Sequence, residues 1–309
     1  MMFFSIIVPL YNKERFILNT LESLLSQTLS DYELIIIDDQ SSDESYQLTK
    51  QFLAKHDLNY RLLQNEINRG VGYSRNRGIS IAKGQYLIFL DADDVLMHSD
   101  FFEQVQKHLK TYDIDYLIFQ RLKDADKVLP FFEDVKPFIK LVDNQLCKIL
   151  DLSRFAAYGK FPFGGSGSCV LKRALVDNKR FNEELTRYED WLFFMPIYLQ
   201  TEPYFLKFLS ITIGYDENSL SKQKKHVELS ALYYELDSSN EIKLRKMFFW
   251  HQLIDFLDYR RGFTNNIEII WRHKRLIVSN LSADLYIIKK NFNIKKILLK
   301  SIFKKRYGG

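Results

Sequence analysis

Cysteine is almost absent from this chain. Cys147 and Cys169 are the only two in 309 residues, and neither belongs to a CxxC pair. That excludes a disulfide framework and a thiolate zinc site, and makes a reducing compartment the expectation. No apolar run approaches the roughly 18–20 residues that a membrane-spanning helix needs. The segment Met1 to Leu10 enters a strand pattern at once and carries no basic leader, so no secretory signal is expected. The chain should be cytoplasmic, or lie on the cytoplasmic face of a membrane. Familiar phosphate-binding signatures are missing too. There is no GxxxxGKS or GxxxxGKT loop, and no GxSxG elbow. Gly70-x-Gly72 lacks the third glycine of a dinucleotide fingerprint and follows the third predicted strand.

What is present is a folded globular composition, 46% hydrophobic and 27% charged. Aromatic content of 15% suits a large core, and also a surface that meets sugars or lipid. The length fits one large α/β domain with an appendage, or two domains. The net charge of +5 conceals an asymmetry. Residues 223–309 hold 18 basic and 8 acidic side chains, a net of +10, which leaves 26 basic and 31 acidic, a net of −5, in 1–222. Two functional parts are expected.

Phe3 to Val8 reads as a first strand, closed by Pro9. Asn12 is expected to cap a helix over 13–27 with Phe16, Leu21, Leu24 and Leu25 as its core stripe. Glu33 to Ile37 is a second buried strand, ending in Asp38-Asp39. Ser41 or Ser42 is expected to cap a helix over 43–55. Tyr60 to Gln64 forms a third strand, and 70–82 a helix with Gly84 as its C-terminal stop. Tyr86 to Leu90 is an uninterrupted apolar strand, followed by a helix near 99–110 and a strand at Tyr116 to Phe119. Alternating strands and helices predict a mostly parallel sheet with right-handed crossovers. In a doubly wound order, strands one and four become neighbours.

The strand Tyr86–Leu90 runs directly into Asp91, Asp93 and Asp94. Residues two apart on an extended chain point the same way, so Asp91 and Asp93 can face one partner. A hard divalent cation, Mg²⁺ or Mn²⁺, is one such partner; a solvated acidic turn is the alternative. The doubly wound order brings Pro9–Glu14, Asp39 and Asp91–Asp93 to one edge of the sheet, which favours a ligand site. Further on, Phe163 to Leu171 is a glycine-rich entry to a strand, read equally as a backbone cradle or a flexible turn. Glu189-Asp190 opens an aromatic helix, where acids suit the positive end of the helix dipole.

Beyond about 223 the strand signals stop, and four helical segments follow. From Lys289 to Arg306 there are eight basic residues and no acid, interleaved with Phe292, Ile294, Ile297, Leu298, Leu299, Ile302 and Phe303. Such a segment suits an anionic membrane surface. Packing on the body of the protein is the alternative, and nucleic acid is not expected because the front half is acidic.

Taken together, five motifs resemble glycosyltransferase family 2, the inverting enzymes of GT-A fold. They are Ser5 to Glu14, Leu34 to Asp43, Asn68-Arg69-Gly70 with Ser74-Arg75-Asn76-Arg77-Gly78, Gly84 to Asp94, and Tyr188-Glu189-Asp190-Trp191, in the family's order over about residues 4–222. The resemblance implies a GT-A (Rossmann-like) domain over 1–222, with the nucleotide-sugar site in 1–120 and the acceptor side in 121–222, and a helical, basic region over 223–309. It implies a nucleotide-sugar donor, UDP-linked in most members, and a Mn²⁺ or Mg²⁺ ion. By the same resemblance, Pro9, Tyr11 and Glu14 line the nucleoside pocket, Asp39 reads the uracil edge, and the Arg75-Asn76 pair either helps shape the donor site or supports the fold. Asp91 is assigned to ribose or metal-bound water, Asp93 to the metal, and Asp190 to the catalytic base. Glu189, Trp191, Ser221 and Lys222 are expected on the acceptor or lid side. Many relatives carry an Arg soon after the tyrosine that matches Tyr215; here Asp216 stands in that place, which leaves the lid's cation to Lys222, Lys224 or Lys225. The implied acceptor is a glycan or a lipid-linked acceptor, as in capsule, cell-wall or lipopolysaccharide assembly. Two rivals are a non-catalytic nucleotide-sugar-binding partner and a sugar nucleotidyltransferase.

Overall fold

The computed structural model of the chain describes residues 2–122, 136–150, 166–185 and 189–213. All of them belong to one compact unit, built from Met1–Leu152 and Phe161–Glu228. The expected helical region over 223–309, with its basic segment, lies outside the described residues.

Strand β1 (Phe4–Leu10) and strand β2 (Tyr32–Asp38) are apolar almost throughout and buried on both faces, as sequences with no solvated face require. Helix α1 (Ile17–Leu25) connects them. Helix α2 (Ser45–Lys55), strand β3 (Tyr60–Gln64), helix α3 (Val71–Ile81) and strand β4 (Tyr86–Phe89) continue the alternation. The short strand β5 (Asp94–Leu96), helix α4 (Phe101–Tyr112) and strand β6 (Tyr116–Leu122) follow. Strands β7 (Ile139–Leu141), β8 (Leu146–Ile149) and β9 (Cys169–Lys172), helix α5 (Glu189–Leu199) and strand β10 (Tyr204–Ile213) complete the described elements.

The sheet runs β3-β2-β1-β4-β9-β6-β10-β8-β7, with β5 paired to β10. Its first half, β3-β2-β1-β4, is wholly parallel, and Ile6 of β1 stands between Leu34 of β2 and Ile88 of β4. Strands one and four are neighbours, as the alternation predicts. The second half is mixed, because β9 enters antiparallel between β4 and β6. Gly167 makes that entry. At φ 75° it adopts the left-handed conformation that glycine tolerates, and its N–H donates to the Phe89 carbonyl at 2.6 Å.

Four local expectations need correction. Asn12 caps no helix: α1 starts at Ile17, and Asn12, at φ 50°, accepts the Ser42 N–H on its Oδ1 at 2.8 Å. Ser41 and Ser42 do not cap α2 either; the Ser41 hydroxyl accepts the Asn12 N–H at 3.0 Å. These short polar side chains stitch the loops after β1 and β2 together instead of ending helices, the competition such residues commonly offer. The Lys13 N–H adds a 2.6 Å bond to Ser45 Oγ. Leu21 and Leu24 are buried as expected, but Leu25 is exposed.

Gly84 is the fourth correction. Helix α3 ends at Ala82 in an extended conformation, so no glycine cap is needed. The constraint is proximity: a Cβ on Gly84 would stand 2.5 Å from both Phe4 C and Ser5 N. Gly84→Ala forces β1 and β4 apart and is expected to cost about 2 kcal/mol. Chemical denaturation checks this, and an unchanged midpoint would remove the close-approach explanation.

Candidate active site

The carboxyl ends of β1, β2 and β4 meet at one sheet edge. The Asp39 N–H donates to Leu10 O at 2.8 Å, and the Leu90 N–H to Ile7 O at 3.0 Å. The loops that leave those strands therefore start side by side. This is where an open α/β sheet places a ligand.

Asp39 is buried at the head of α3. Its Oδ1 accepts Asn65 Nδ2 at 2.7 Å and the Arg69 N–H at 2.9 Å, and its Oδ2 accepts the Gly70 N–H at 2.7 Å. An ionised carboxylate has about four acceptor positions, so one on Oδ2 is left over. Asn65 also donates to Ser74 Oγ and accepts from Arg77, which makes it the linchpin of this corner. The sequence reading missed Asn65, although a polar residue just past a strand's carboxyl end was the available signal.

Arg75 is the centre of the arrangement. Its guanidinium is buried and donates through Nη2 to Asp91 Oδ1 at 3.0 Å and through Nη1 to Glu189 Oε1 at 2.8 Å. Burial alone would lower its pKa; the neighbouring Asp91, Glu189 and Asp190 outweigh that and raise it. A cluster of aromatic rings packs beside Arg75. Phe181 stacks on Phe193 at 3.8 Å, Phe89 meets both rings edge-on, and Phe181 lies 5.3 Å from the Arg75 guanidinium. Asn76 fixes that packing by accepting the Phe181 N–H at 2.7 Å and donating to the Phe181 carbonyl at 2.9 Å. Arg75 thus joins the acid after β4 to the acid that opens α5. Asn76 supports the fold instead of facing the cleft.

Asp93 carries the second cation contact, Lys13 Nζ at 2.7 Å from its Oδ2. Burial, and then the charge of Asp91, raise the Asp93 carboxyl above its usual value, with Lys13 acting in the opposite sense. Lys13 was not singled out from the sequence, where a lysine between Asn12 and Glu14 reads as surface. Four carboxylates, Asp91, Asp93, Glu189 and Asp190, gather around two cations, Arg75 and Lys13. They leave an excess of two negative charges among these described residues.

Of the other predicted positions, Tyr11 is exposed beside the edge, Pro9 is the penultimate residue of β1, and Glu14 accepts the Glu44 N–H at 3.1 Å. Trp191 falls in the first turn of α5, two residues after Glu189. Ser221, Lys222 and the segment around Asp216 lie outside the described residues.

No group of three or more His, Cys, Asp or Glu gathers as a metal cage among the described residues. Asp91 and Asp93 fit a different demand. Mg²⁺ and Mn²⁺ take one or two protein carboxylates and complete their shell from water and substrate phosphates. Both carboxylates are partly open, 29% for Asp91 and 15% for Asp93, and both already hold a cation.

A parallel half-sheet with acids at its carboxyl edge, joined through a buried arginine to a second acidic pair, defines an α/β domain whose candidate site lies at that edge. The sequence profile of glycosyl transferase family 2 matches residues 5–178, and the chain belongs to that family. A poly(ribitol-phosphate) beta-glucosyltransferase of Bacillus spizizenii is 29% identical over 229 residues, covering 71% of this chain and 32% of the relative. The chain thus spans about a third of that relative's length. In fold, it is similar to Staphylococcus aureus TarS 1–349 in complex with UDP-GlcNAc, with a TM-score of 0.62 and 23% identity over 80% of this chain and 70% of the other. A mannosyltransferase from Pyrobaculum calidifontis in complex with GDP-Man and Mn²⁺ gives a TM-score of 0.61 at 13% identity, over 98% of this chain and 87% of the other. The GT-A expectation therefore holds for the described α/β domain.

Proposed function

We propose that the chain transfers a sugar from a UDP-sugar to a glycan or lipid-linked acceptor, with inversion and with the help of a divalent cation. The observation that carries this reading is the Arg75 bridge, which ties Asp91 to Glu189, the neighbour of Asp190, about a hundred residues further along the sequence. In this reading Asp91 serves the donor side and Asp190 is a separate proton acceptor. A hydrolase working through two carboxylates would need both to flank one bond.

In this reading each residue has a part. The remaining acceptor position on Asp39 Oδ2 suits the imide N–H of uracil, and exposed Tyr11 with Pro9 and Glu14 supplies the neighbouring wall. Asp91 faces ribose or water. Asp93 and Asp91 would hold Mn²⁺ or Mg²⁺. When bound, the ion supplies electrostatic stabilisation of charge growing on the diphosphate. Asp190, in the first turn of α5, takes the acceptor hydroxyl's proton. Glu189 is held by Arg75 and so orients that turn. Trp191, Ser221 and Lys222 belong to the acceptor and lid side in this reading.

The pathway reading, bacterial surface polysaccharide assembly, is supported by the poly(ribitol-phosphate) relative. No described helix is long and apolar enough to cross a membrane. The basic segment 289–306 is proposed to hold the protein on the cytoplasmic membrane face.

Titrating UDP with and without Mn²⁺ tests the metal reading. Mn²⁺ should tighten UDP binding by about tenfold or more, equivalent to about 1.4 kcal/mol, and Asp93→Ala should abolish that gain. Equal titrations with and without the ion in the unmodified protein would contradict it.

A further inference from the structure

Lys13 has no part in the roles set out above, yet its ammonium lies on the carboxylate proposed to receive the cation. The contact is 2.7 Å from Nζ to Asp93 Oδ2, with only 18% of the lysine side chain and 15% of the aspartate exposed. Nothing about this contact is accidental to the local chain. The loop that carries Lys13 is pinned by the Lys13 N–H bond to Ser45 Oγ and by Asn12 bonding to the loop after β2. The Phe16 and Ile17 N–H groups both donate to the Lys13 carbonyl at 2.9 Å, which fixes the turn into α1. The backbone at position 13 is therefore held, and the side chain reaches 80 residues along the sequence to Asp93 Oδ2.

We propose that Lys13 is a resident counter-cation that keeps free divalent ions off Asp93, so that the metal is taken up together with the nucleotide diphosphate instead of before it. The inference rests on reading Asp93 as the cation-binding acid. Asp91 is already paired with Arg75 and Asp93 with Lys13, so a bare dication gains little from either carboxylate without first displacing a bound positive charge. A dication that arrives on a diphosphate brings its own anionic oxygens. The displaced ammonium, a compact charge on a flexible stem, then has phosphate oxygens within its reach. Arg75 cannot yield in the same way, because its guanidinium is buried between two acids. The two cations thus have different duties: one is fixed and one exchanges.

The test measures Mn²⁺ binding to the full chain, without nucleotide, through the loss of the free-ion electron paramagnetic resonance signal. Lys13→Gln should bind Mn²⁺ alone at least tenfold more tightly than the unmodified protein, and Lys13→Arg, which keeps the charge, should not. A gain of ion binding is not what a merely disrupted loop produces. Should the glutamine variant fail to fold, Lys13→Met gives a second neutral side chain. Equal Mn²⁺ affinity in the neutral variant and the unmodified protein overturns the proposal. So does an unmodified protein that binds Mn²⁺ as tightly alone as with UDP. If UDP itself fails to bind while Lys13→Gln gains the ion, the nucleotide reading falls and the counter-cation stands.

Discussion

Asp190→Asn is expected to lower sugar transfer by about 10³-fold, within the range a positioned general base contributes. UDP affinity should be unchanged, because Asp190 stands at the head of α5 while the nucleotide is assigned to the edge formed by β1, β2 and β4. The substitution keeps the side chain's shape and removes the group that accepts a proton. It also leaves Glu189 in place to hold the helix to Arg75. Initial rates of transfer, paired with UDP titrations of the same preparation, separate loss of chemistry from loss of binding. Transfer at the unmodified rate would remove Asp190 as the base, and a parallel loss of UDP binding would make it a donor-site residue.

Arg75→Met should damage both stability and activity. The arginine is 5% exposed and its partners Glu189 and Asp91 are 9% and 29% exposed, so its removal strands one nearly buried carboxylate and one partly buried one. Removing one partner of a buried pair typically costs about 3–5 kcal/mol; with Asp91 partly solvated, the lower figure applies. A loss on the order of 3 kcal/mol lowers the melting midpoint by roughly 6–10 °C in a domain of this size. The pairing argument has a sharper consequence. Arg75→Met combined with Glu189→Gln should be less destabilised than Arg75→Met alone, because the double change strands one carboxylate fewer. Additive losses would show that Arg75 acts through its packing over Phe181 and not through its charge. Activity should fall with either version, since Asp91 and α5 lose their common tie.

How much of this was legible beforehand depends on what each feature rests on. The strands β1, β2 and β4 are apolar almost throughout, and their order follows from the alternation with helices, so the edge where Pro9, Asp39 and Asp91 meet was open to reading. The acidic opening of α5 was legible for the same local reason. Helix starts were not, because Asn12, Ser41 and Ser42 make bonds across two loops, a choice that sequence periodicity does not register. The antiparallel β9 escaped as well, since no local signal says that a strand after a glycine-rich loop will insert between β4 and β6. Arg75 was singled out only as a donor-site residue. Its bridge spans 114 residues to Glu189, and such a pairing exists only once α3 and α5 are in place. Lys13 escaped entirely, because its meaning lies in Asp93, on a different strand's loop.

The most direct measurement is UDP release from a panel of nucleotide sugars, followed in the presence of Mn²⁺ or of a chelator, for the unmodified protein and for Asp190→Asn side by side. The account predicts release from at least one UDP-sugar that requires the ion and an acceptor, and that nearly disappears in the variant. Release that is indifferent to the ion, or equal in the two proteins, would contradict it.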